Sequence, residues 1–157
     1  MRPLFEDDKI WEEFKRELLS WLGTPYRHHT AVKGRGVDCT LYIGTALKNV
    51  GLLAKVENTY YPRDFHLHSD EELVIENIYK HLKYLPKGLV VRQVDDELMR
   101  GDMITIRTKG SRIFNHTGVY LGNDEFVSAT VARGVCILRL SKWANCPMKG
   151  WRLWVIE

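Results

Sequence analysis

The order of the apolar periodicities predicts an α+β fold. Up to about residue 84 apolar side chains recur mostly at helical spacing. From Leu89 onward the spacing alternates, with turn residues between short apolar runs. Helices first and a meander afterwards favour N-terminal helices packed on a C-terminal antiparallel sheet of about five to six strands. At 157 residues the chain is long enough for one well-filled core and reads as a single domain, 1–157.

Residues 7–22 form the first expected helix. Asp7 or Asp8 can cap it, Ile10, Trp11, Phe14, Leu18, Leu19 and Leu22 recur at helical spacing, and Gly23 and Pro25 end it. Residues 24–38 read as a loop. A second helix is expected from Cys39 to about Val50, apolar around most of its circumference and so central, with Gly51 as its stop. Tyr60–His68 has no helical stripe and reads as extended or irregular. Ser69-Asp-Glu-Glu72 matches a capping box, with a helix to about Tyr84. The expected strands are 89–94, 103–108, 116–121, 125–130, 135–140 and 151–156, with Gly122-Asn-Asp124 as a tight turn.

Composition narrows the function classes. Hydrophobic residues at 45% and charged residues at 27% are ordinary for a globular chain. A formal charge of +3 suits an acidic polymer but is too weak to argue for nucleic acid. No run approaches the ~18 apolar residues of a membrane span. The first residues lack a signal-peptide core, so the expected location is the cytoplasm as synthesised. Three cysteines without a Cys-x-x-Cys pair argue against a disulfide framework or a zinc ribbon. His66 and His68 lack a third ligand at recognisable spacing, so neither metal nor cofactor is expected.

The chemistry centres on Gly34-Arg-Gly-Val-Asp-Cys39, a glycine-containing loop running into the second helix. A cysteine on the first turn of a helix meets unpaired N–H groups and the positive end of the dipole, which favour the thiolate. Such a cysteine is a nucleophile or simply a small buried apolar residue. His116, at the start of a later strand, would be the imidazole of a nucleophile–base pair.

The blocks Leu22-Gly-Thr-Pro-Tyr26, Gly36-Val-Asp-Cys39, Gly101-Asp102, His116-Thr-Gly-Val-Tyr-Leu-Gly122 and Phe126-Val-Ser-Ala129 resemble, in order, those of the NlpC-type cysteine peptidases. These are papain-like enzymes that cut peptidoglycan stem peptides. Tyr26–Cys39 and Tyr61–His68 look most like compact members found in phage and prophage tails. The resemblance implies Cys39 as nucleophile, His116 as general base, and Tyr26 beside the oxyanion site. It also implies Asp38 in a substrate pocket and the backbone N–H of Cys39 as an oxyanion donor. Stem peptides are the implied substrate and phage tail proteins the implied partners.

Two departures stand out. Thr40-Leu41 replaces the family's usual Ser-Gly, and Ser128 stands where a histidine is common. Ser128 is one candidate for orienting His116; Asn115 or a backbone carbonyl would be the substitute. His28 and His29 replace a Trp-Gly pair and either line the cleft or are solvated. Lys33, Arg35 and Lys109 either meet wall carboxylates or are solvated, and Cys136 and Cys146 are expected to pack. The sequence thus predicts a thiol hydrolase of wall peptides. A tail component with this fold and reduced turnover, or a thiol amidase or acyltransferase, are the alternatives.

Overall fold

A computed structural model describes residues 1–58, 62 and 70–157. The chain opens with a short strand, β1 (Arg2–Pro3), and a 3-10 turn that buries Leu4 and Phe5. Asp7 then caps α1 (Asp8–Leu19), its carboxylate accepting from the N–H groups of Lys9 and Ile10. Trp11, Phe14 and Leu18 bury one face of α1. The expected loop 24–38 contains a two-stranded ribbon, β2 (Ala31–Val32) with β3 (Gly36–Val37). These strands are too short to leave a periodicity in the sequence.

The central helix, α2 (Cys39–Asn49), buries Leu41, Tyr42, Ile43, Ala46 and Leu47, and Gly51 follows with φ 79°. The third helix, α3 (Leu73–His81), starts later than the capping box predicts. Glu72 precedes it in a non-helical conformation, and its carboxylate accepts from the backbone N–H of Phe114 instead of capping the helix. Ser69 and most of Tyr60–His68, His66 and His68 included, lie outside the described residues.

The sheet contains β1, β4 (Leu89–Gln93), β5 (Met103–Ile106), β6 (His116–Gly122), β7 (Glu125–Thr130), β8 (Gly134–Arg139) and β9 (Met148–Val155). All its pairings are antiparallel. It is an α+β fold as expected, with β1 added to the predicted strands. β9 is its spine. β4 runs along one edge of β9, and the other edge carries β5 over Met148–Trp151 and β1 over Trp154–Val155. Asn123 and Asp124, with φ 51° and 65°, make the tight turn from β6 to β7.

Both faces of the sheet are covered. Helix residues pack with Met103, Val119, Val127 and Ala129 on one face. Ile104, Ile106 and Phe126 pack with Tyr120, Leu138 and Trp143 on the other. That explains why all four residues of β5 are buried although their side chains alternate. No described helix is long and apolar enough to cross a membrane.

Candidate active site

The site begins at the start of α2. Asp38 is extended, and its Oδ1 accepts from the N–H of Leu41 at 2.9 Å and the Thr40 hydroxyl at 3.1 Å. Its Oδ2 accepts from the N–H of His29 at 2.9 Å. Asp38 is thus an N-cap that also holds the preceding loop. It is 1% exposed, and three internal donors engage its carboxylate. The Thr40-Leu41 departure is accommodated in the same way, with Thr40 reinforcing the cap and Leu41 entering the core.

Cys39 is buried beside this cap. The backbone N–H groups of Thr117, Cys39 and Thr40 favour its thiolate, but dehydration and, next, the Asp38 carboxylate outweigh them and push the thiol up to about 12. The expectation that the helix start lowers this thiol is therefore overturned. The N–H groups at the helix start do favour the thiolate, yet loss of water costs the anion more.

The hydrogen bonds of β6 explain how the thiol reaches Thr117. Tyr120 exchanges bonds with the strand-side backbone at Gly101 and Asp102. By alternation, His116 and Gly118 face β5, whereas Thr117 and Val119 turn their N–H and C=O toward β7. The β6–β7 register runs only as far as Val119 with Val127. Beyond that pair the strands part. The Cys39 thiol meets the Thr117 N–H, and the Ser128 hydroxyl reaches the Thr117 carbonyl at 2.7 Å.

The same Ser128 Oγ lies 2.7 Å from Nε2 of His116. A hydroxyl carries one hydrogen, and the Thr117 carbonyl can only accept it. Ser128 must therefore accept from His116, which places the imidazole proton on Nε2 and leaves the lone pair on Nδ1. Dehydration pushes this imidazole down to about 4, so at neutral pH it is uncharged. Its ring lies parallel to the Trp143 indole, with centroids 6.0 Å apart and an interplanar angle of 12°.

Asn115 does not substitute for Ser128. Its Oδ1 accepts from the N–H of Thr108 and its Nδ2 donates to the Thr108 hydroxyl, bracing the loop between β5 and β6. Tyr26 is half-buried against the core and forms a parallel bridge with Val37, two residues before the thiol. His28 and His29 ride on the loop tied to Asp38, their rings 6.1 Å apart.

A scan against protein-family models matches the NlpC/P60 family over residues 23–149. The chain belongs to that family. A probable endopeptidase NlpC homolog of Haemophilus influenzae is 29% identical over 127 residues, covering 80% of this chain and 53% of that protein. The chain therefore spans about half the length of this curated relative. Among solved structures, the NlpC/p60 domain of the peptidoglycan hydrolase SagA superposes with a TM-score of 0.55 at 14% identity, covering 88% of this chain and 96% of that one. RipD of Mycobacterium tuberculosis, a non-catalytic NlpC/p60 domain protein, superposes with a TM-score of 0.54 at 18% identity, covering 90% and 95%. The two superpositions establish the NlpC/P60 fold.

Other sequence candidates lie elsewhere. Lys33 sits over the Trp21 ring and reaches Glu17 on α1 and Ser20 at its C-cap, so it braces the end of the helix. Cys136 is buried opposite Ser128 on β8, and Cys146 packs under the sheet. No cluster of three metal-ligating side chains occurs among the described residues. Two participants escape the sequence. The Thr117 backbone carries no side-chain signal, and Trp143 is separated from His116 by three strands' worth of chain.

Proposed function

We propose that this NlpC/P60 domain is a cysteine peptidase that hydrolyses amide bonds in peptidoglycan stem peptides, such as the bond from a D-γ-glutamyl group to a diamino acid. One observation carries the reading: the Ser128 hydroxyl, committed to Thr117, fixes His116 in the tautomer whose Nδ1 can accept a proton. The family and the endopeptidase name of the Haemophilus influenzae relative support it.

In this mechanism the pair rests neutral. His116 Nδ1 takes the Cys39 proton as the sulfur attacks the substrate carbonyl, forming the C–S bond. The Cys39 N–H, with Tyr26 alongside, receives the developing oxyanion. The C–N bond breaks, the imidazolium gives its proton to the leaving amine, and water attacks the thioester to release the acid and restore the thiol. Ser128 holds the ring throughout. In this reading His28 and His29 meet the acidic groups of the stem peptide. The substrate lies in the cell wall, and carriage on a phage tail is the delivery route that the sequence resemblance suggests.

Incubation with defined muropeptides, followed by mass spectrometry, tests this. Cleavage at one amide bond that disappears in Cys39→Ala is the expected result; equal cleavage by that variant would sink it. Transfer of the acyl group to an added amine would instead identify an acyltransferase. A second reading, a wall-binding domain without turnover, is favoured by the buried, high-pKa thiol. It predicts muropeptide binding with no cleavage.

A further inference from the structure

We infer that Trp143 is a positioning residue for the His116 imidazole, holding its plane and keeping water from the His116–Ser128 hydrogen bond. The inference rests on the peptidase reading for its consequence in catalysis, but its geometry stands independently.

The indole is held from two sides. It lies on the 3-10 turn Leu140–Trp143, which Asp124 fastens to the β6–β7 turn. The Asp124 carbonyl accepts from Leu140 N–H at 2.8 Å, and its carboxylate accepts from the N–H and hydroxyl of Ser141 at 2.9 and 2.7 Å. Below, the indole edge meets the ring of Phe126 at 6.0 Å and 80°. Phe126 cannot retreat from this contact toward β6, because even a Cβ on Gly118 would come within 2.7 Å of it. Trp143 is therefore a fixed wall, and the parallel imidazole is laid against it.

An apolar wall beside a half-buried imidazole has a definite chemical effect. It displaces water that would solvate the imidazolium, while its face attracts a cation; the lowered His116 imidazole follows the first of these effects, which leaves the ring neutral, a proton acceptor, into acid solution. The described titratable neighbours do not supply that effect. The Cys39 thiol faces the adjacent Thr117 backbone and is uncharged at neutral pH. Cys136 lies across from Ser128 on β8. Lys142, next to Trp143, is exposed. Dehydration is the cause of the His116 shift. The wall also limits rotation of the ring about its bond to the strand, which keeps Nε2 on Ser128 and the Nδ1 lone pair in one direction.

The test is a titration of 15N-labelled histidine in the full chain, followed by NMR, with the His116 signal assigned by its loss in His116→Gln. In Trp143→Ala and Trp143→Leu the imidazole pKa is expected to rise by about one unit or more toward the free value of about 6.5, while Trp143→Phe stays close to wild type. With muropeptide substrate, the acid limb of kcat should move to higher pH in the same order, with KM little changed. An unshifted titration in a folded Trp143→Leu or Trp143→Ala protein would overturn the inference, as would a Phe variant that behaves like Ala. If Ala fails to fold, the Leu and Phe variants decide. The titration needs no substrate, so it stands even if Cys39-dependent cleavage is absent. Normal cleavage with an unshifted imidazole would remove the role of Trp143 alone.

Discussion

The carboxylate of Asp38 raises the proton affinity of its neighbour Cys39 while building the helix start that opposes the rise. One side chain thus contributes both effects, opposing the thiolate by its charge and favouring it through the helix start that it caps. Asp38→Asn should separate them. The amide would present N–H groups to donors at Leu41, Thr40 or His29, costing about 1–3 kcal/mol of stability in urea denaturation. With the charge gone, the thiol pKa should fall, read as an acid shift in the pH profile of alkylation.

Wild-type alkylation makes the neutral resting pair testable. With the thiol pushed up to about 12, the rate of iodoacetamide reaction should still be climbing above about pH 9. A plateau reached at neutral pH would instead reveal a preformed thiolate–imidazolium pair.

Removing the Ser128 hydroxyl leaves both the Nε2–H of His116 and the Thr117 carbonyl without this partner. Ser128→Ala should lower kcat about ten- to hundredfold on muropeptide substrate, the worth of one lost hydrogen bond plus a freed ring, with KM nearly unchanged. A kcat equal to wild type would show that another group orients the imidazole.

Gly118 has no room for a side chain. A Cβ there would lie 2.7 Å from the Phe126 ring and 2.9 Å from the Val127 carbonyl oxygen. Gly118→Ala should therefore cost about 1–3 kcal/mol by overpacking, measured by chemical denaturation.

Acid should destabilise the domain through His116. The folded imidazole titrates near about 4 and the unfolded one near 6.5, so between those values the unfolded chain binds more protons. Stability is fully present above about pH 6.5 and is lost as the pH falls through about 4, by up to about 3 kcal/mol. His116→Gln should flatten that part of the stability-versus-pH curve.

Much of this was legible in the sequence, and the exceptions have physical causes. Helical and alternating periods located α1, α2 and the strands from β4 to β9, because most of them bury a regular face, whereas β5 is buried on both. The two-residue strands β1 to β3 carry no period, and Glu72 left its expected helix to bind Phe114, a partner 42 residues away. Ordered motifs singled out Cys39, His116 and Ser128, and the fold packs α2 on β6 and β7, where Ser128 meets His116. The electrostatics were misread. A helix start is visible in sequence, but the burial of the Cys39 thiol comes from packing with residues distant in the chain. The sequence likewise shows an acid at Asp38 but not the three donors that turn it inward.

The pairing pattern of β9 also bears on how the domain is made. β1, β4 and β5 all take their hydrogen bonds from Met148–Val155, with Arg2 lying opposite Val155. During synthesis, β1 and β4 have no edge to join until that segment has left the ribosome, and until then β5 can pair only with β6. α1, α2 and the β6–β8 meander can form earlier from local contacts, whereas closure of the sheet waits for residues at the far end of the described chain. A ribosome stalled before β9 should therefore hold a nascent chain with a sensitive, half-built sheet, which limited proteolysis of arrested complexes would detect.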